Sequence, residues 1–219
     1  MKEFNYGESN EWYQETMTRE IFQEKIYETF FKVEENDVVV DAGASIGPFS
    51  YTLKDRNIKH LYCIEPSQTQ VELLKENIES LPSTIIPYVV GKENLEIGDY
   101  FGESISSSIV EAKEFKTIIE ENNIQQIDFL KTDCEGGEYN IFNIENLCWL
   151  KSNLKKCSGE WHLNTPETKQ QFREFRDVFL RVFPNHEVYS VDGINIKWDL
   201  WNEHFIEFYN EVIIHIDNR

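Results

Sequence analysis

From Val38 onward the chain alternates short apolar bursts with longer stretches of helical period, and the order of these bursts predicts an architecture. Val38, Val39 and Val40 form a continuous β-branched run ending at Asp41, as expected of a strand buried on both faces. Residues 61–64 are a second such run, after which Ser67 and Gln70 match the S-x-x-Q box that opens a helix. The apolar face of that helix is Val71, Leu74, Ile78 and Leu81. Residues 84–90 predict a third strand, residues 115–121 a helix, and residues 127–130 a fourth strand running into Lys131, Thr132 and Asp133. Residues 156–163 predict a fifth strand, and Thr165 with Pro166 caps and starts a helix carrying Phe172, Phe175, Phe179 and Val182. No strong helix separates residues 187–191 from residues 211–216, so these runs predict an antiparallel pair at the sheet edge. Ahead of all of them, Phe22, Ile26 and Phe30, with Tyr27 and Phe31 beside them, paint an apolar stripe on a helical preface. The expectation is a doubly wound α/β fold, with a mostly parallel seven-stranded sheet and an antiparallel edge hairpin. Residues 1–36 form an N-terminal helical extension and residues 37–219 the domain proper.

Composition narrows the partners. The 219 residues are 40% hydrophobic and 14% aromatic, enough for one sizeable core. Asp and Glu number 40 against 21 Lys and Arg, a net charge of −19 that repels polyanions at long range. Nucleic acid and anionic membrane are therefore disfavoured as partners. No apolar run approaches the ~20 residues of a membrane span, and the first ten residues lack the charge-then-apolar layout of a secretory signal. A cytoplasmic location is expected, with the oligomeric state left open. Cys63, Cys134, Cys148 and Cys157 have no paired spacing, so they read as reduced thiols rather than zinc ligands.

Ligands of open α/β sheets sit at the carboxyl ends of the strands. The first such end reads Asp41-Ala42-Gly43-Ala44-Ser45-Ile46-Gly47, where Gly43 permits a tight turn and Gly47 close helix packing. The second strand ends in Glu65, an acid placed to accept hydrogen bonds from both ribose hydroxyls of an adenosine. A nicotinamide dinucleotide would want G-x-G-x-x-G to cradle a pyrophosphate, whereas Ser45 stands where the middle glycine of the related D-x-G-x-G-x-G pattern falls. A hydride-transferring oxidoreductase is thereby disfavoured. An acid at the loop mouth suits a ligand without phosphate and with positive charge, such as S-adenosylmethionine.

Three segments, VVVDAGASIGPFS from Val38, YCIEPSQTQVELLKENI from Tyr62 and IDFLKTDCEGGEY from Ile127, resemble the class I methyltransferases. More narrowly they resemble the FkbM family of S-adenosylmethionine-dependent O-methyltransferases, whose D-x-E-G-x-E signature the third segment matches. The resemblance spans roughly residues 20–163 and departs at Ser45, where members usually have asparagine; its quoted motifs do not extend to Pro166 and beyond, the region expected to shape the acceptor pocket. It implies a Rossmann-like fold in which Asp41, Gly43, Ala44, Ser45 and Gly47 line the methionine end, Glu65 holds the ribose, and Val90 with Gly91 borders the adenine. Asp133 faces the methyl group, and Glu135, Glu138 and Glu160 belong to the acceptor side.

An alcohol acceptor must lose its proton, and His162 at the end of the fifth strand is the candidate base, with Asp133 competing. Asp133 has a bland alternative as a helix cap near Glu138. Asp133, Glu135, Glu160 and His162 also form a potential divalent-metal set, a reading not favoured over a metal-free site. Ser104, Ser106, Ser107 and Ser108 after Gly102 read as a loop or flap, and Trp149, Trp161, Trp198 and Trp201 as core residues or as sugar-stacking platforms. The expected activity is transfer of a methyl group to a hydroxyl of a small molecule such as a sugar or glycan precursor. The alternatives are N- or carboxyl-methylation on the same scaffold, or a non-catalytic nucleoside-binding module.

Overall fold

A computed structural model of the chain describes residues 3–99 and 106–219. Seven strands, β1 (Val38–Ala42), β2 (His60–Ile64), β3 (Ser83–Ile86), β4 (Ile127–Thr132), β5 (Leu154–His162), β6 (His186–Tyr189) and β7 (Glu211–Asp217), form one sheet. Its order is β3-β2-β1-β4-β5-β7-β6, parallel except for β7, which runs antiparallel to both β5 and β6. The expected antiparallel pair is present, but β7 is inserted inside the sheet and β6 alone forms that edge.

Period two along the strands divides the core. Val39 pairs in register with Phe129 and Val40 with Leu130. Val39 and Phe129 join a cluster with Phe49, Leu61 and Leu74, while Val40 and Leu130 join one with Ile118, Phe142, Phe175 and Phe179. Both faces of β1 and β4 are thus covered, which is why the opening Val38-Val39-Val40 of β1 is apolar without alternation. The helices on the two faces include α1 (Glu11–Met17), α2 (Pro48–Tyr51), α3 (Gln68–Asn77), α4 (Phe115–Glu121), α5 (Glu138–Ile141), α6 (Leu147–Asn153) and α7 (Pro166–Val182). The Ser67 hydroxyl accepts from the Gln70 amide at the start of α3, and Thr165 closes a capping box with Thr168 before Pro166 opens α7. Phe172, Phe175 and Phe179 are buried along α7, each stabilising the fold by ~1.5–3 kcal/mol through the apolar surface it removes from water. Among the described residues no helix is long and apolar enough to cross a membrane.

Three sequence expectations shift. The third strand stops at Ile86 because Pro87 has no amide hydrogen to continue the ladder, and Val89–Val90 pairs instead with Ala112–Lys113. The stripe through Phe22, Ile26 and Phe30 is not one helix: α1 continues as a π-helical stretch, Thr18–Glu24, that ends at Lys25 with φ 53°. This left-handed stop leaves Phe30 exposed and turns Tyr27 into the core at 3% exposure. Gly102 and Ser104 lie outside the described residues, while Ser106–Val110 pairs with Leu95–Asp99 in an outlying hairpin.

Candidate active site

The strand order reverses between β1 and β4, and such a switch point opens a crevice at the strands' carboxyl ends. Gly43 leaves β1 there with φ +73°, and a Cβ at this position would lie 1.7 Å from the Asp133 carbonyl oxygen. Only glycine lets the two strand tips come so close. Asp41 is fully buried, with Oδ2 accepting a 2.6 Å hydrogen bond from the Ser50 hydroxyl. Its other oxygen, Oδ1, makes no hydrogen bond and lies 3.3 Å from Lys131 Nζ. Lys131 donates to the Gly43 carbonyl at 2.7 Å and reaches within 3.8 Å of Asp133 Oδ2. Burial opposes the lysine's charge, but Asp41 and Asp133 outweigh it and hold the ammonium protonated. One buried cation therefore ties the tip of β1 to the acid that follows β4.

Glu65 is 6% exposed, with Oε2 accepting from the Ser45 amide and Oε1 from the Ser67 amide, both at 2.8 Å. Burial raises its pKa to about 7 even though these amides and Lys131 pull it down. Each oxygen retains a lone pair for a ribose hydroxyl. Gly43 and Ala44 amides donate to the Ile64 carbonyl and the Gly47 amide to the Ala44 carbonyl, so these loop amides are not gathered to cradle a phosphate. Ser45 sits at φ 50°, in the region asparagine tolerates better than most residues, and its hydroxyl pairs with the Tyr13 hydroxyl at 2.8 Å. The glycine turn and the Glu65 carboxylate fit the uncharged ribose of a sulfonium ligand, with Asp41 already engaged by Lys131. Val90 is buried in the core, and Gly91 borders a cleft lined by Phe115, Asn140 and Asn146.

Asp133, Glu135, Glu138, Glu160 and His162 gather at the ends of β4 and β5. The single Tyr27 hydroxyl proton is shared between Asp133 Oδ2 at 3.1 Å and Glu160 Oε1 at 3.2 Å. Asp133 is thus no helix cap; α5 begins after Gly137 without a side-chain cap. Glu138 is fully buried, and its carboxylate accepts from the Cys134 amide at 2.6 Å, the Gly136 amide at 3.0 Å and His162 Nδ1 at 3.1 Å. It therefore braces the loop and the imidazole, whereas Glu135 approaches the same imidazole from the solvent side, its side chain 81% exposed. His162 Nε2 lies 3.5 Å from Glu135 Oε2 and 3.9 Å from Asp133 Oδ1. Burial works against a charged ring, but the Glu138 hydrogen bond and the surrounding carboxylates push its pKa up to about 10. Burial, then Asp133 and Glu211, push Glu160 up to about 8. Trp161 is fully buried in the core and cannot stack on a sugar, while Trp198 and Trp201 are exposed and Trp149 is half-buried.

Sequence reasoning missed Tyr13, Tyr27, Ser50, Lys131 and Glu211. Lys131 alone left a signal, as a lysine inside a run whose neighbours are all strand-core residues. Glu211 reaches the site by pairing across the sheet with His162, a register no local pattern reveals.

Residues 41–189 match the model of the methyltransferase FkbM domain. A tRNA (guanine(37)-N(1))-methyltransferase, Trm5b, of Methanocaldococcus jannaschii is 41% identical over 68 residues, 30% of this chain. The match spans only 20% of that relative's length. Fibrillarin of Aeropyrum pernix, solved with natively bound S-adenosyl-L-methionine, superposes with a TM-score of 0.50 at 10% identity, over 87% of this chain and 71% of that one, a likeness of fold. Precorrin-6y C5,15-methyltransferase of Geobacter metallireducens gives 0.48 at 12% identity, over 85% and 84%. With the family model covering more than half of its length, and with the sheet order and switch-point crevice of a Rossmann-like domain, the chain belongs to the FkbM family of S-adenosylmethionine-dependent methyltransferases.

Proposed function

We propose that this methyltransferase acts on oxygen, methylating a hydroxyl of a small polyhydroxylated acceptor such as a sugar or glycan precursor. The observation that carries the reading is the Asp41–Lys131–Asp133 chain, which links the Gly43 and Glu65 side of the crevice to a cluster of carboxylates with one imidazole. Carboxylates are strong acceptors for several adjacent hydroxyls and repel phosphate, so they suit a neutral polyol. When bound, S-adenosylmethionine supplies a sulfonium methyl to an in-line nucleophile. Glu65 accepts from the ribose hydroxyls, and the Gly43 turn keeps the tips of β1 and β4 close enough to hold both reactants. Holding them aligned is worth ~7–11 kcal/mol of the barrier. Tyr27 holds Asp133 and Glu160 from behind, Glu138 holds His162, and the acceptor proton leaves toward the Asp133 carboxylate.

The test is a panel assay with mass detection, offering sugars, polyols, amines, carboxylic acids and a tRNA transcript. A methyl ether formed in step with S-adenosylhomocysteine supports the proposal. Methyl found only on nitrogen, carboxyl or guanine overturns it, and donor binding without turnover on any acceptor points to a nucleoside-binding module instead. Asp133→Asn is expected to lower kcat by roughly 10²–10⁴-fold while donor affinity changes little. The tRNA arm is included because of the Trm5b segment, although a net charge of −19 opposes a polyanionic acceptor.

A further inference from the structure

We infer that Asp133, Glu135 and His162 form a binding site for a hard divalent cation of the manganese or magnesium class at the acceptor side of the crevice. One carboxylate oxygen from each acid and Nε2 of the imidazole all lie within 4.8 Å of one another. The two separations from Nε2, 3.5 Å and 3.9 Å, match the spacing of ligands around one ion rather than direct hydrogen bonds. With metal–ligand distances near ~2.1 Å, neighbouring ligands of one ion stand ~3 Å apart and opposed ones ~4.2 Å.

The hydrogen bonding of the three residues points the same way. His162 has its side chain 5% exposed, and its only hydrogen bond among the described residues runs from Nδ1 to Glu138. Nε2 makes no hydrogen bond and faces the carboxylates of Asp133 and Glu135. A metal-bound histidine is characteristically oriented by a carboxylate on its other nitrogen, and Glu138 supplies that partner while being held by two backbone amides. Asp133 repeats the pattern, since Tyr27 bonds Oδ2 and leaves Oδ1 facing Nε2. Glu135 is carried to the third corner by its left-handed backbone, φ 53°. A second triplet, Glu160, His162 and Glu211, shares the same imidazole, but Tyr27 already engages Glu160, and Asp133 with Glu135 flanks the loop that borders the donor. Three protein ligands leave open positions on a six-coordinate ion for adjacent acceptor oxygens, and coordination there lowers the pKa of a hydroxyl.

The experiment needs neither donor nor acceptor, so its outcome is separable from that of the methylation proposal. The full chain, stripped with chelator and dialysed, is titrated with Mn²⁺ alone while the free-ion electron paramagnetic resonance signal is followed. One bound ion per chain is expected. Glu135→Gln, at an exposed side chain that does not endanger folding, is expected to weaken binding roughly tenfold or more, and Glu211→Gln to leave it within about twofold. No retention of Mn²⁺ at millimolar concentration overturns the site. Binding unchanged by Glu135→Gln, or lost with Glu211→Gln, overturns the ligand set. His162→Asn, checked for native circular dichroism, is expected to abolish the bound signal, and retention of Mn²⁺ by this variant overturns the site equally.

Discussion

Lys131 Nζ sits among the Gly43 carbonyl, Asp41 and Asp133, its side chain only 5% exposed. Removing one member of such a pair leaves an uncompensated buried charge, the most costly kind of polar substitution. Lys131→Met is therefore expected to destabilise the fold by about 3–5 kcal/mol, read as a lower urea midpoint at unchanged m-value. Glu65 calls for a different measurement. Its folded pKa of about 7 lies above the ordinary glutamate value, so the native protein holds a proton that the unfolded chain releases, and ionisation of Glu65 costs stability as pH rises from about 4.5 to 7. A ribose that hydrogen-bonds to the carboxylate favours the ionised form. Donor affinity should therefore fall as pH drops below 7, by up to roughly tenfold per unit, and level off above it. Calorimetry in buffers of different ionisation enthalpy should show proton release near pH 6.5. The charges facing Glu65 are Lys131 and Asp41, and Glu65→Gln should bind more weakly with a flat pH profile in this window. A parent profile equally flat would remove Glu65 from the ribose.

At the scale of elements, the site depends on how closely the end of β1 approaches the end of β4. Gly43 is the position at which that approach leaves no room, since an added Cβ meets backbone rather than a yielding side chain. Its φ of +73° adds a second penalty for any L side chain. Gly43→Ala is expected to push the tips apart, weakening donor binding by more than tenfold as seen by equilibrium dialysis. It should also lower the melting temperature, because Lys131 depends on the Gly43 carbonyl. The N-terminal segment contributes in the same way. Tyr13 reaches Ser45 and Tyr27 reaches both Asp133 and Glu160, so residues ahead of β1 and outside the matched family segment complete the wall of the crevice.

For the whole molecule, a buried histidine bears on acid stability. His215 is 2% exposed, paired with Ser158 and Thr29 and stacked on Phe30. Burial lowers its pKa to about 4. The unfolded chain thus binds a proton between pH 6.5 and 4 that the native protein refuses, and stability is lost as pH falls through that window, by up to ~3 kcal/mol. Glu65 acts in the opposite sense over part of the same range, so the comparison must be between parent and variant. His215→Asn is expected to flatten the decline of urea stability from pH 6.5 to 4 relative to the parent, whatever its own stability at pH 7. Parallel curves would show that His215 does not set the limb.

Several of these features were legible in the chain itself, because they rest on local chemistry. β-branched runs, the Ser67 and Thr165 caps and the phenylalanine spacing of α7 follow from backbone sterics and burial periodicity, which neighbours in sequence encode. The strand-end positions of Asp41, Glu65, Asp133 and His162 follow from the same alternation. Elsewhere the outcome depended on contacts between distant segments. Pro87 ended β3 early, Lys25 redirected Tyr27 inward, and β7 entered the sheet between β5 and β6, bringing Glu211 opposite His162. Only the tertiary structure made Lys131 the shared cation of two acids and Glu138 the brace of an imidazole, because a buried charge takes its role from partners that the fold, not the local sequence, brings within reach.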